Sequence, residues 1–209
     1  MIRPSLRLRA SMSLGVAAAA LALAGCSGSP SAKPSTPATS PVSAATMAKT
    51  FTPYSAAGQL TARTSSTVSG SCWTSSIALS DPLAFRCISN NQILDPCFVA
   101  PHAIAPRAVA CFANPWTPGV LLSLTDKLPA PDPGTRTTPW ALELADGTHC
   151  VAITGTVDQV GTLDMGYACG GNAQAGLVAS SGPGTAQSVE LRSSPAAPLH
   201  AEAVRTTWL

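Results

Sequence analysis

The chain has 209 residues, with twelve Lys and Arg against ten Asp and Glu, three His and seven Cys. That length holds one domain plus a tail. A formal charge of +2 with no basic cluster leaves no electrostatic footprint for nucleic acid. At the amino terminus Arg3, Arg7 and Arg9 precede an apolar run from Leu14 to Leu23. A basic start, a short apolar stretch and small residues before a cut site make a secretory signal peptide. The apolar run is about ten residues, against the roughly 20 needed to span a bilayer.

That run ends in Leu23-Ala24-Gly25-Cys26, which resembles the lipobox of bacterial lipoproteins. The resemblance implies removal of residues 1–25, a diacylglycerol thioether on Cys26, and acylation (palmitate) of the new amino terminus. It places the chain at the cell membrane, lipid-anchored on the outer, extracytoplasmic face. One acyl chain anchors marginally, whereas two or three hold a protein stably. Arg3, Arg7 and Arg9 would leave with the signal, so nine cations would remain against ten carboxylates.

Residues 26–58 read as the acylated Cys and a disordered tether rich in Ser, Thr, Pro and Ala. Pro30, Pro34, Pro37 and Pro41 forbid helix or ladder, and no apolar period is present. Some thirty flexible residues reach on the order of 30 Å, more where proline stiffens them. Phe51 and Tyr54 mark where this segment first touches the domain.

Residues 59–209 read as a single extracytoplasmic β domain. Thr61 to Cys72 is rich in Thr, Ser and Val, and the runs Leu83 to Cys87, Val120 to Thr125 and Trp140 to Leu144 alternate. Asp146-Gly147 then turns the chain into Thr148 to Ile153, a strong hairpin signal. Val157 to Val160, Met165 to Cys169, Leu177 to Ser180, Ser188 to Arg192 and Ala201 to Trp208 complete the strand-like runs. Asp95-Pro96, Asn114-Pro115, Pro129 to Pro133, Gly170-Gly171 and Gly182-Pro183-Gly184 punctuate them. The expected class is all-β: a small disulfide-stapled antiparallel sandwich or open barrel. One short helix fits at 81–85 or at 158–163, and no internal repeat is visible.

Apart from Cys26 the cysteines are Cys72, Cys87, Cys97, Cys111, Cys150 and Cys169. An even number in an exported chain reads as three disulfides in an oxidising compartment. Six cysteines allow fifteen pairings. The sequential set, Cys72–Cys87, Cys97–Cys111 and Cys150–Cys169, is favoured because each bond would tie neighbouring strands, at about 3 kcal/mol apiece. No Cys-x₂-Cys pair offers a zinc site or a redox dithiol. Trp73, Phe98 and Phe112 follow cysteines directly, and Phe85, Trp116, Trp140, Tyr167 and Trp208 complete the domain's aromatics. Rings packed over disulfides are the expectation, and an exposed platform for sugar or lipid is the alternative.

No nucleophile elbow, His-Glu-x-x-His or phosphate-binding glycine loop occurs, and no cofactor or metal is implied. His149 beside Cys150 reads as a surface strand residue and Asp95 before Pro96 as a turn former. The stretches Gly70 to Ser76, Phe85-Arg86-Cys87, Asp95 to Phe98, Pro139 to Leu144 and Tyr167 to Cys169 resemble secreted and lipid-anchored modules of actinobacteria whose activity is unassigned. The resemblance implies export and carries over no catalytic residue. The expected function is a non-catalytic binding or accessory domain in the cell envelope. Its partners would be the membrane, through the lipid on Cys26, and an envelope protein or glycan. The alternative is a small envelope hydrolase acting on sugar or peptide. That reading requires two or more of His149, Asp95, Asp146, Asp158 and Asp164 to converge in a cleft.

Overall fold

The structure, a computed structural model, describes residues 45–132, 134, 136–178 and 188–209. Residues 1–44, on which the expected signal peptide, Cys26 and most of the expected tether fall, lie outside the described residues, as does Gly182-Pro183-Gly184. Among the described residues all regular structure is β, and both proposed helix positions lack helix. At 81–85 the chain is instead a turn, with Leu83 N–H donating to Asp81 Oδ1 and Ala84 N–H to the Asp81 carbonyl, leading into a strand. The all-β expectation is met, but the strands make two closed barrels where the sequence reads as one sandwich or open barrel.

After a short strand β1 (Met47–Lys49), the first barrel is built from β2 (Thr64–Ser75), β3 (Ala84–Ser89), β4 (Gln92–Phe98), β5 (Ala108–Cys111) and β6 (Gly119–Leu124). Successive strands pair antiparallel, and a parallel β2–β6 pairing, Thr64 opposite Gly119 through Gly70 opposite Leu124, closes the ring. Asn90 and Asn91 supply the two positive φ angles, 48° and 62°, of the β3–β4 hairpin turn. Gly70 is obligatory for space, since a Cβ there would stand 2.0 Å from the Ile88 carbonyl oxygen. Asp95-Pro96 is not a turn: it lies inside β4. Phe85 pairs with Cys97 and Cys87 with Leu94, so Arg86 faces two residues, and proline sits in a bulge where no ladder N–H is needed.

The second barrel uses β7 (Ala141–Leu144), β8 (His149–Ala152), β11 (Tyr167–Cys169), β12 (Ala173–Leu177), β13 (Ser188–Arg192) and β14 (His200–Trp208), with the two-stranded pair β9 (Gln159–Val160) and β10 (Leu163–Asp164) between β8 and β11 in sequence. The sheet closes where β14 pairs with β7. The Asp146-Gly147 turn joins β7 to β8 as read from the sequence, with Glu143 opposite His149 and Gly147 at φ 88°. Thr148 N–H and hydroxyl both donate to the Asp146 carboxylate and hold the turn.

Each barrel has its own core. Phe85, Cys87, Cys97, Val99, Val109 and Leu122 point into the first; Leu142, Leu144, Cys150, Tyr167, Val189 and Val204 into the second. The disulfides are the sequential set, Cys72–Cys87, Cys97–Cys111 and Cys150–Cys169, each joining residues directly opposite on paired strands. Adjacent residues on a strand face opposite sides. Hence Phe98 and Phe112, next to Cys97 and Cys111, do not pack over the disulfides. They point outward into a third cluster, with Ala84, Ala110, Trp140 and Ala141, that welds the barrels together.

Phe51 stands at the centre of that weld. Its ring centroid lies 5.0 Å from that of Phe112, 5.3 Å from Trp140 and 5.7 Å from Phe98. The folded part therefore begins before residue 59, correcting the boundary read from the sequence. Strand β1 pairs in parallel with β14, and Phe51 N–H donates to the Leu209 carbonyl. Composition masks this edge because Ser, Thr and Ala continue across it, while β1 and one ring supply the adhesion. Deleting residues 45–58 should lower the melting temperature sharply, and Phe51→Ala alone should cost about 2 kcal/mol or more. A melt unchanged by both would place this segment outside the fold.

Candidate binding site

A concavity of about 770 Å³ opens at one end of the first barrel. Its floor is apolar: Leu83 and Phe85 from the entry into β3, Val99 after β4, and Leu124 and Leu128 at and beyond the end of β6. Main-chain bonds extend the ladder past the strand ends and fix this floor, Val99 N–H donating to Leu83 and Leu124 N–H to Arg107. The rim carries Pro82, Pro106, Pro129 and Pro131. Each proline holds φ near −65°, so the opening is stiff before anything enters. An apolar floor of this size with a few polar groups at a barrel mouth is the usual form of a small-molecule site.

Three charged side chains line the cavity: Arg107, Asp126 and Lys127. Asp126 accepts from the hydroxyl of Thr125, whose backbone N–H donates to the Gly70 carbonyl and pins the residue to the β2–β6 seam. Neither Arg107 nor Lys127 makes an ion pair among the described residues, which include all ten carboxylate residues of the chain. The rim therefore presents a net positive charge over an apolar pit. Beside it, the 101–106 turn carries Ile104 at 96% exposure, with His102 and Ala105 at positive φ on either side.

The acid–base candidates do not gather here. Asp95 lies inside the first barrel's wall, its side chain 1% exposed, accepting from Ser76 Oγ and Ile77 N–H and pairing with Arg86 Nη1 at 3.7 Å. Asp146 closes its turn, Asp158 pairs with Arg192 at 3.4 Å, and Asp164 accepts from Gln159 Nε2. His149 is exposed, as expected. It stacks face to face on Trp116, centroids 3.8 Å apart, with Nε2 3.9 Å from Glu143. Glu143 is itself bound by Arg205, whose hydrogen bond holds that carboxyl below its ordinary range. Each group thus serves a local structural pairing.

No family model, curated protein or solved structure matches the chain. The site must be read from its own chemistry. Sequence reasoning singled out neither Arg107 nor Lys127, which lie in loops ahead of β5 and beyond β6, where the antiparallel β5–β6 pairing, Ala108 opposite Ser123, brings them to one mouth. The prolines flanking both loops are the signal that was present. The sulfur atoms of Cys87, Cys97 and Cys111 lie within 4.8 Å of one another, but all three are consumed in disulfides and offer no thiolate to a metal.

Burial pushes the Asp95 carboxyl above its ordinary range, against the Ser76, Ile77 and Arg86 contacts that pull it down. A folded value above the unfolded one means that folding favours the protonated acid. Its contribution is present below the unfolded pKa of 3.8 and is lost as pH rises through the folded value. Melts of the protein and of Asp95→Asn between about pH 3 and 7 should show the parent losing ground to the variant as pH rises. A parent that gains on the variant over that window would mean the Arg86 pairing outweighs burial.

Proposed function

We propose that this chain is a lipid-anchored extracytoplasmic protein of the cell envelope whose folded part is a non-catalytic binding module. The lipobox supports the anchor, and the barrel-mouth cavity carries the binding assignment. A stiff proline rim, an apolar floor and two unpaired cations belong to a place that holds a small molecule rather than transforms it. The catalytic candidates serve turns and wall contacts, which supports the same side of the choice. No helix among the described residues is long and apolar enough to cross a membrane, so attachment in this proposal rests on Cys26.

The test of the anchor is fractionation of Cys26→Ala. It should appear as uncleaved precursor or be shed to the medium. A variant still cleaved and held at the membrane would overturn the lipid assignment.

A further inference from the structure

From the cavity's charge and lining, we infer that its ligand is a single-chain amphiphile with an anionic head, the acyl chain lying on the apolar floor and the head meeting Arg107 and Lys127. This deepens the binding-module reading and rests on it. Two observations narrow the ligand class. Leu83, Phe85, Val99, Leu124 and Leu128 offer the buried end of a ligand no hydrogen bond from their side chains, so that end must be apolar, as a hydrocarbon chain is. At the opening, Arg107 and Lys127 outnumber Asp126, and neither cation has a carboxylate partner. Two cations beside one carboxylate leave a net attraction for an anion and a penalty for a cationic head.

The stiffness of the mouth suits such a ligand. A hydrocarbon chain has no directional contacts to spend on ordering a floppy site, and a pre-set rim reduces that ordering cost. Ile104, almost wholly exposed on the turn beside Ala103 and Ala105, has no apolar cover of its own. The anionic head is common to a free fatty acid and to a lysophospholipid with an acidic head, and the experiment separates these sources.

The full chain carrying Cys26→Ser, purified without detergent, is titrated with three probes: a fluorescent long-chain fatty acid, the uncharged alcohol of the same chain, and an anionic lysophospholipid. The fatty acid or the lysophospholipid should bind at least about fivefold more tightly than the alcohol, the difference shrinking as salt is raised. Whichever anion binds more tightly names the source. Arg107→Gln and Lys127→Gln, both at exposed positions, should each weaken anion binding more than alcohol binding, and the double variant should remove the preference. Ala103→Trp, an exposed lining position, should block all three probes. If the alcohol binds as tightly as both anions and neither cation substitution changes the order, the amphiphile assignment is overturned while the cavity remains a binding site. If none of the three binds, both the assignment and the binding-module reading fall.

Discussion

Trp140→Ala is expected to lower the unfolding free energy by about 3–5 kcal/mol, the cost of emptying a large ring from a site that cannot collapse. Trp140 is 0% exposed and sits in the weld between the barrels, 5.3 Å from Phe51 and packed with Phe98, Phe112 and Ala141. Small residues at Ala84, Ala110 and Ala141 let the two walls approach, and the rings fill the space between them. Because the walls are hydrogen-bonded sheets, they cannot slide inward to fill a void. Trp140→Phe keeps a ring in place and should cost markedly less. The check is chemical denaturation of both variants. A loss below about 1 kcal/mol for the alanine variant would mean that the barrels do not depend on this weld.

The second large effect concerns the disulfides. Replacing Cys72 and Cys87 together by Ala should cost about 3 kcal/mol, since the bond closes a loop with a sequence separation of 15. Replacing Cys72 alone should do something different in kind. It frees the Cys87 thiol, whose sulfur lies within 4.8 Å of both sulfurs of the Cys97–Cys111 bond. As a thiolate, Cys87 can attack that bond, joining itself to one sulfur and releasing the other as a thiolate, with no oxidant consumed. Peptide mapping of Cys72→Ala should therefore find Cys87 bonded to Cys97 or to Cys111 in part of the sample. The control is Cys150→Ala. It leaves Cys169 in the second barrel's core, where Cys150 is its only cysteine neighbour among the described residues, so no rearrangement is expected there. A homogeneous native Cys97–Cys111 bond in Cys72→Ala would refute the exchange.

Much of the fold is legible in the sequence because local chemistry decides it. The alternating run Trp140 to Leu144, the Asp146-Gly147 pair and the run after it specify β7, its turn and β8 without tertiary help. Cys72–Cys87 and Cys97–Cys111 follow from strands that are neighbours both in sequence and in space, and Cys150–Cys169 joins β8 to β11 across the short β9–β10 pair. Strand β4 is hidden because Asp95-Pro96 reads as a break. Only the bulge opposite Arg86 makes proline tolerable there. The two-barrel architecture is hidden for another reason. Cys97-Phe98-Val99 and Val109-Ala110-Cys111-Phe112 are apolar on both faces, the mark of strands covered twice. A single barrel gives one of those faces nothing to touch, so the runs read as rings over disulfides instead. The candidate site is the least legible part. Its floor comes from strand ends that already count as core, and its two cations flank the β5–β6 pair, of which β5 (Ala108–Cys111) is absent from the strand-like runs read in the sequence.

The most direct test of the account is the intact mass of the protein extracted from its host's membranes, measured first under native and then under denaturing conditions. The denatured mass should equal a chain starting at Cys26 plus acyl groups, less the six hydrogens of three disulfides. The native spectrum should carry a further small mass, retained in the barrel mouth and lost on unfolding. A chain with an unmodified Cys26, or a native mass identical to the denatured one, would contradict the account of a lipid-anchored binding module.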